Sequence, residues 1–361
     1  MPTVGRIKIL FLIPYPLDYA PSQRFRFEQY FELLKKNGVE IEARPFIDVA
    51  TWNSLYLEGN FISKTIGIGL GFIKRFRDVF RAKEADLIFI HREAAPMGLP
   101  FLEWIISNVL GKKIIYDFDD AIWLPNTSKE NALVARIKWH SKVGSICRWS
   151  WKLSCGNNFL TDFARIFNTN VLLNPTTIDT NYHDPNKQRK KERPLTIGWT
   201  GSHSTLKYIE FLVPIIARLE KEIDFRFLVI SNQAPKFHLE SLEYRKWDKA
   251  TEIKDLMEID IGLMPLTDDP WAKGKCGFKA LQYMALEIPA LISPVGVNGE
   301  IVEDGKEGFH CTTTEDWYLS ITNLIQDVDL RTQLGSAGRK KVIARYSVES
   351  NGENFMSLFT H

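Results

Sequence analysis

Three lysines lie close together in the second half of the chain, in a glycine-containing loop that leads directly into an apolar helical segment. They are Lys273, Lys275 and Lys279, and they are separated by Gly274 and Gly277. The amide groups at a helix N-terminus attract anions, and nearby ammonium groups strengthen that attraction. We expect a diphosphate to bind here, with Lys275 acting on the charge that develops in a reaction and the other two lysines holding the ligand.

A second turn with closely spaced glycines follows the next predicted strand, at residues 294–299. Glycine permits a close approach of the backbone to a ligand. A purely structural loop seldom needs both this turn and a lysine-rich loop before it, so we interpret the two together as a binding site. The residues of this stretch that we assign to the site are Gly296, Val297, Asn298 and Glu300.

Three carboxylates lie at the end of a predicted strand in the first half of the chain, at Asp117, Asp119 and Asp120. Carboxylates at one strand end repel one another and are costly to bury unless they are paired, so a partner is implied. We interpret Asp119 and Asp120 as structural or as contacts to an acceptor substrate, paired with a nearby arginine or lysine. A divalent metal is the alternative, because hard cations prefer oxygen ligands.

Two further groups lie at strand ends of the first half. His91 and Glu93 follow a predicted strand, and they are candidates for proton transfer and for orienting a substrate hydroxyl. A histidine that is satisfied inside the structure is the alternative. Arg24 and Arg26 lie in the first strand-to-helix connection, where they could bind an acceptor or phosphate, or could form surface salt bridges.

Buried strands and amphipathic helices alternate along the chain, which predicts a parallel α/β architecture. The strands are expected at residues 6–14, 39–45, 85–91, 112–118, 153–157, 170–175, 195–199, 225–231, 260–264 and 289–293, and the helices at 24–37, 100–110, 206–221, 278–286 and from 314 onward. The pattern restarts after a polar, charged stretch at 184–194. We therefore predict two Rossmann-like domains that face a cleft, where ligands bind beyond the strand ends.

The composition excludes several classes of function. The chain has 361 residues with 46 basic and 44 acidic side chains, and a net charge of +2 argues against nucleic acid as a partner. Its four cysteines are scattered without CxxC pairs, so neither a disulfide framework nor a zinc module is expected. A start without a signal-peptide pattern and the lack of a long apolar run favour a cytoplasmic protein.

The stretch GKCGFKALQYMALEIPALISPVGVNGEIVEDGKEGF resembles the donor-binding region of GT-B glycosyltransferases, particularly the group 1 enzymes of glycosyltransferase family 4. The resemblance implies that the C-terminal domain binds a nucleotide-sugar and the N-terminal domain binds the acceptor. The GSHSTLK loop resembles the family loop that binds the donor diphosphate. Lys207 falls on the family lysine, whereas Gly201 occupies the arginine position, and Ser202 follows as a donor contact.

The family's Glu-x7-Glu motif is altered. Its two positions are Gly274 and Gln282, so no acid holds the donor sugar and an amide would contact the ribose. We expect Glu300 to line the donor pocket and the clustered lysines to replace the missing arginine. The resemblance also implies catalysis without a metal or another cofactor, because positive side chains and a helix N-terminus stabilise the leaving diphosphate.

The resemblance assigns residues 1–183 to an acceptor domain, 195–345 to a donor domain, and 346–361 to a helix that returns to the first domain. The implied activity is transfer of a sugar, with retention of configuration, to a glycan or lipid-linked acceptor in the synthesis of surface polysaccharides or glycoconjugates. Two alternatives remain open. The altered motif would suit a non-catalytic binding subunit, and a nucleotide-sugar epimerase would share the architecture.

Residues 67–81 carry two further patterns. Three glycines at 67, 69 and 71 do not follow a strand, so they do not form a dinucleotide-binding loop, and we expect a flexible or packing segment. Residues 73–81 mix phenylalanine with lysine and arginine, as peripheral membrane surfaces do. Contact with the inner face of a membrane is one interpretation. A solvated helix with its apolar face in the core is the one that we prefer from sequence.

Overall fold

The computed structural model describes residues 7–55, 61–125, 139–187 and 193–360. The chain divides into two compact units, and each contains a six-stranded sheet. Unit 1 comprises Met1–Thr176 and Gly352–His361, and unit 2 comprises Thr177–Asn351.

The sheet of unit 1 is entirely parallel, with strand order β2-β1-β3-β4-β5-β6. Its apolar strand sequences are buried by helices on both faces, as parallel sheets require. In β1, the five residues from Ile9 to Ile13 have no exposed surface. The strands are β1 Ile7–Ile13, β2 Val39–Pro45, β3 Leu87–His91, β4 Lys113–Phe118, β5 Lys152–Cys155 and β6 Val171–Leu173.

The helices of unit 1 include one departure from the sequence pattern. The single helix expected over 24–37 is broken, because Phe27 adopts an extended φ of −142° and a separate 3₁₀ turn, Glu28–Tyr30, follows it. The helices are α1 Pro21–Arg24, α2 Phe31–Lys36, α3 Val49–Leu55, α4 Phe61–Arg81, α5 Phe101–Trp104, which continues as a π-helical turn Ile105–Val109, α6 Lys142–Trp149 and α7 Asn158–Arg165.

The sheet of unit 2 is also parallel, with strand order β12-β11-β10-β7-β8-β9. The order reverses between β7 and β10, the point where ligands bind in such sheets. Two edge strands escape sequence prediction, because β9 is half-exposed and charged and β12 has only three residues. The strands are β7 Thr196–Gly201, β8 Arg226–Ser231, β9 Leu242–Lys246, β10 Ile261–Met264, β11 Ala290–Ile292 and β12 Gly308–His310.

The helices of unit 2 pack around a core that contains the fully buried indoles of Trp199 and Trp317. The segment expected to be one helix over 206–221 begins as two 3₁₀ turns, His203–Tyr208 and Glu210–Leu212. The helices are α8 Val213–Leu219, α9 Glu252–Leu256, α10 Pro270–Lys273, α11 Phe278–Ala285, α12 Asn298–Ile301, α13 Thr314–Gln326 and α14 Val328–Lys341.

The chain passes between the units at two places. Residues 177–183, which we expected in the first domain, cluster with unit 2 because Ile178 exchanges backbone hydrogen bonds with Tyr346 and Val348. After Asn351 the chain belongs to unit 1, where helix α15 (Gly352–Met356) stacks Phe355 on Tyr30 with ring centroids 4.1 Å apart.

The longest helix of unit 1, α4, packs through small residues. A Cβ added at Gly67 would overlap Thr51, and one added at Gly71 would lie 2.6 Å from the Phe46 ring, so these glycines permit close packing inside a helix. The preferred expectation for residues 73–81 was wrong, because Phe76 and Phe80 are exposed rather than turned to the core. None of the helices among the described residues is long and apolar enough to cross a membrane.

Candidate functional site

Two loops of unit 2 leave the carboxyl ends of β10 and β11 and pack against each other. Gly296 has φ +58°, and a Cβ there would lie 2.8 Å from the carbonyl oxygen of Lys273. Gly277, the residue before α11, has φ +69°, and a Cβ there would overlap the side chain of Ile301. These contacts bring together the lysine-rich loop and the glycine turn, as their shared position at the strand ends predicted.

The first of these loops is held by a helix cap. The Asp269 carboxylate accepts a hydrogen bond of 2.8 Å from the amide of Ala272 at the start of α10. Burial opposes ionisation of this carboxyl, but hydrogen bonds from Thr267 and from the backbone, together with the charge of Lys207, lower its pKa. Lys207 is exposed and belongs to the loop after β7. Loops from β7 and β10 therefore lie within electrostatic range of each other.

The clustered lysines lie beside aromatic rings or a carboxylate. The ammonium of Lys279 is 5.2 Å from the ring centre of Trp199, and that of Lys275 is 5.4 Å from the ring centre of Trp271. Lys273 Nζ is 3.2 Å from an oxygen of Asp268. The indole of Trp199 is fully buried, and its Nε1 makes no hydrogen bond within the described parts of the chain.

The loop after β7 is compact. A Cβ at Gly201 would lie 2.5 Å from the Trp199 ring and 2.7 Å from the hydroxyl of Thr205, so the family's arginine has no room at this position. Ser202 bonds Ser204 through their hydroxyls, 2.8 Å apart. The amide of His203 donates to the side chain of Asn232 at 2.7 Å, which ties this loop to the end of β8.

Gln282 lies inside unit 2. Its side chain is 2% exposed, and its Nε2 is 3.3 Å from Nε2 of His183. The guanidinium of Arg339 donates to the carbonyl of His183 at 2.9 Å and also to that of Ala285. The segment around His183 is thus hydrogen-bonded to α11 at Gln282, the position where the family has its second glutamate.

The remaining residues of the turn differ in exposure. Asn298 is fully buried and donates to the carbonyl of Ser293 at 3.3 Å, while its Oδ1 accepts no hydrogen bond from any described residue. Val297 is half-buried, and Glu300 is exposed on α12. Burial, with the nearby charge of Glu300, raises the pKa of Tyr346.

In unit 1, His91 belongs to a fully buried polar cluster. Its Nδ1 is 2.7 Å from Oδ2 of Asp117, which in turn accepts hydrogen bonds from Arg26 and Ser154. Burial would raise the pKa of Asp117, but the charge of Arg26 and the bond with His91 hold it well below its usual range. Among the described residues, nothing bonds Nε2 of His91.

Arg26 lies in this cluster rather than on a surface that an acceptor could reach. Its side chain is 1% exposed, and besides Asp117 it donates to the carbonyl of Asn174. The expected surface contact is therefore replaced by a buried ion pair. Arg24 is also buried, with its guanidinium 4.9 Å from the centre of the Phe25 ring.

Arg92 is the cation that pairs the carboxylates after β4. An arginine or lysine partner was expected from the sequence, but this role was not assigned to Arg92. It has φ +60° and donates to Asp119 at 2.8 Å and to Asp120 at 2.6 Å, while the Tyr116 hydroxyl donates to its carbonyl at 2.6 Å. Strained backbone of this kind concentrates at functional sites. The sequence contained the information needed to find this pair. Arg92 directly follows β3, the acids follow β4, and these two strands are neighbours in the sheet.

Glu93 completes this group. Its carboxylate is 2.7 Å from the ammonium of Lys142, which also donates to the carbonyl of Ala95 at 2.8 Å. The carboxyl ends of β3 and β4 therefore present three carboxylates, each paired with a cation. In the described residues, no group of three or more histidine, cysteine or acidic side chains has the arrangement of a metal site.

Comparison with known proteins agrees with this architecture. Residues 194–327, within unit 2, match the family model described as Glycosyl transferases group 1. Comparison with curated protein sequences gives no match. The matched residues include the lysine-rich loop and the glycine turn described above.

Several solved structures are similar to the chain over nearly its whole length. Sucrose-phosphate synthase from Thermosynechococcus elongatus has a TM-score of 0.70 at 14% identity, over 98% of this chain and 99% of that one. Anabaena Alr3699/HepE in complex with UDP-glucose has a TM-score of 0.63 at 15% identity, over 99% of this chain and 100% of that one. A glycosyltransferase from Rickettsia africae ESF-5 has a TM-score of 0.64 at 14% identity, over 99% of this chain and 100% of that one. The fold is that of the GT-B glycosyltransferases, and the predicted fold class is confirmed.

Proposed function

We propose that the protein is a glycosyltransferase that moves a sugar from a nucleotide-sugar donor to a hydroxyl group of a glycan or lipid-linked acceptor. The observation that carries the proposal is the packing of the Gly296 turn against Lys273, which joins two loops at the strand ends of unit 2. These loops lie in the region that matches the group 1 family model. Unit 2 is thus the donor-binding unit of the proposal.

In this proposal, cationic side chains stabilise the leaving diphosphate. Lys207 and Lys275 act on the negative charge that grows as the glycosidic bond breaks, and Lys273 and Lys279 bind the donor. The N-terminus of α11 adds the partial positive charge of the helix dipole. The reaction so described uses no metal and no other cofactor.

The altered glutamate positions change how the donor would be held. The Nε2 of Gln282 is engaged by His183, so a ribose hydroxyl would donate to the Oε1 of this amide. Gly274 offers no carboxylate to the sugar. The buried Oδ1 of Asn298, which accepts no hydrogen bond from a described residue, and the main chain of the Gly296 turn supply polar groups next to the lysine loop.

Unit 1 is the acceptor-binding unit of the proposal. Carboxylates accept hydrogen bonds from sugar hydroxyls, and Asp119 and Asp120 are held in place by Arg92. His91 is fully buried with its Nδ1 towards Asp117, so in this proposal it positions the loop that carries Glu93 rather than contacting the acceptor. Glu93 lies two residues further along the same loop and would orient the acceptor hydroxyl.

The finer parts of the proposal follow from resemblance. They are retention of anomeric configuration and a role in the synthesis of surface polysaccharides or glycoconjugates. Work at the inner face of a membrane is proposed instead from the aromatic and basic residues at 73–81. The solved structures of Anabaena Alr3699/HepE contain UDP or UDP-glucose. Uridine diphosphate sugars are therefore the first donors to test.

Isothermal titration with UDP and GDP, followed by a donor panel assayed for hydrolysis and transfer, tests the proposal. We expect one nucleotide to bind and its sugar to be released or transferred. Lys275→Ala should lose turnover, whereas Lys246→Ala, at an exposed lysine on β9, should not. Binding without any turnover would favour a non-catalytic subunit, and conversion of the donor without an acceptor would favour an epimerase.

A further inference from the structure

Helix α4 presents a continuous apolar stripe to solvent. The exposed fractions are 76% for Ile62, 58% for Ile66, 53% for Ile73 and 67% for Phe80, and Leu70 and Phe76 are each 48% exposed. The spacing of three or four residues returns these side chains to the same side of the helix. Large exposed apolar patches mark interaction sites in soluble domains.

The opposite side of α4 already has its packing partners. Gly67 and Gly71 approach Thr51 and Phe46, and Arg75 is fully buried with hydrogen bonds to the carbonyls of Ile13 and Ala94. The helix therefore cannot rotate to bury its stripe without breaking these bonds. The exposed apolar side is fixed by the fold.

The stripe continues into an aromatic surface. The ring of Phe76 lies 5.5 Å from that of Phe101, which begins α5. Beyond it, Trp104 and Trp139 are 46% and 49% exposed. These two indoles, with Trp149 and Ser145, line a cavity of about 320 Å³ that is open to solvent. Tryptophan at an exposed apolar surface is typical of the interface between water and hydrocarbon.

The charges on α4 favour an anionic partner. Its acid, Asp78, is buried against Arg75 and Arg44. The charged side chains that reach the surface of the helix are cationic, namely Lys64, Lys74, Arg77 and Arg81. Lys74 and Arg81 also contact acids of neighbouring elements, Asp48 and Glu42. A helix with one apolar side bordered by cations is the form that lies flat on an anionic bilayer.

We propose that α4 and the adjoining aromatic surface dock on an anionic lipid bilayer, with the hydrocarbon chain of one lipid entering the cavity between Trp104, Trp139 and Trp149. The stripe extends from Ile62 to Phe80, about 27 Å along the helix at 1.5 Å per residue. This length suits a helix that lies in the interface plane. The inference stands on unit 1 and does not require transferase activity.

Flotation with vesicles tests the docking. Wild-type protein should float with phosphatidylcholine vesicles that contain about 30% phosphatidylglycerol, and less with phosphatidylcholine alone. The double variant Ile66→Glu/Phe80→Glu should bind at least about tenfold more weakly, because two exposed apolar side chains that would insert into the bilayer become charged. The matched control is Leu319→Glu, at a residue of unit 2 that is 56% exposed, and it should bind as wild type does.

Two outcomes would overturn the docking. One is equal flotation of the double variant and the control. The other is wild-type protein that does not float and that sediments as a dimer, together with a double variant that sediments as a monomer. A second copy of the chain, and not a bilayer, would then cover the stripe. Circular dichroism melting of each variant checks that the fold is kept.

Quenching by brominated acyl chains tests the cavity. The difference in fluorescence between wild type and Trp149→Phe gives the emission of Trp149, which lines the cavity. Bromine placed deep in the acyl chain of the lipid should quench this emission. Ser145→Phe fills the cavity and should remove this quenching while flotation persists. Unquenched Trp149 emission in vesicle-bound wild type would overturn the placement of a lipid chain there.

Discussion

Nδ1 of His91 and Oδ2 of Asp117 lie 2.7 Å apart, and the two residues are direct register partners in β3 and β4. The parallel pairing sets their backbones side by side, and the Arg26 guanidinium completes the cluster from the loop after β1. All three side chains are at most 1% exposed. This arrangement fixes the carboxyl end of the sheet from which Arg92 and Glu93 project.

Asp117→Asn should destabilise the protein strongly. It removes the charge opposite Arg26 and leaves a buried guanidinium with a neutral partner, which typically costs about 3–5 kcal/mol. Urea unfolding measures the change. Asp162→Asn is the control, because Asp162 and Arg165 form an exposed pair that contributes within about 1 kcal/mol. Equal effects of the two substitutions would contradict the buried ion pair.

Asp117 should also make stability fall in acid. Its folded pKa is held below the value in the unfolded chain, 3.8, so its contribution is present above that pH and is lost as the pH falls below it. The melting temperature of wild type should therefore drop more steeply below about pH 4 than that of Asp117→Asn. Parallel curves for the two proteins would show that another group controls acid unfolding.

Gly277→Ala should distort the lysine loop. Alanine at φ +69° costs about 1–2 kcal/mol, and its Cβ would also overlap Ile301. Gly305→Ala is the matched control, since Gly305 has φ +73° but open space around its Cβ position. We expect greater loss of stability at Gly277 by thermal unfolding, and weaker nucleotide binding by titration. Similar losses at both sites would mean that only the backbone conformation matters.

Lys207→Ala and Lys275→Ala should each lower turnover with a competent donor by roughly a hundredfold. A group that stabilises charge in the transition state contributes on the order of 3 kcal/mol, and it affects turnover more than binding of the ground state. Steady-state rates and nucleotide affinities, with Lys246→Ala as control, distinguish these effects. Turnover near that of wild type in both variants would remove these lysines from the reaction.

The double variant Asp119→Asn/Asp120→Asn should distinguish acceptor binding, proposed for unit 1, from donor binding, proposed for unit 2. It keeps the shape of the side chains but weakens the pairing with Arg92 and the acceptance of hydrogen bonds from a substrate. We expect transfer to an acceptor to fall by at least about tenfold while hydrolysis of the donor is unchanged. Loss of both rates together would place these acids in the donor site instead.

The sequence alone determined the architecture and the position of the lysine loop and the glycine turn. A strand buried on both faces must be apolar throughout, which is why the run at 6–14 predicted β1 at Ile7–Ile13 so closely. Parallel strands with helical crossovers place their loops at the carboxyl edge, so the lysine loop and the glycine turn were expected at one edge. The edge strand β9 carries no such signal, because its residues are half-exposed and several of them are charged.

Only the tertiary structure decided which partner each charged side chain finds. Arg26 and Arg24 have the same local pattern as surface arginines, yet both are buried, because a fold can place a carboxylate 91 positions away against Arg26. The side of α4 that faces solvent was likewise undetermined, since an amphipathic pattern defines an apolar side without saying what covers it. In α4 the glycines and Arg75 hold the other side of the helix against the protein, and this packing leaves the apolar stripe exposed.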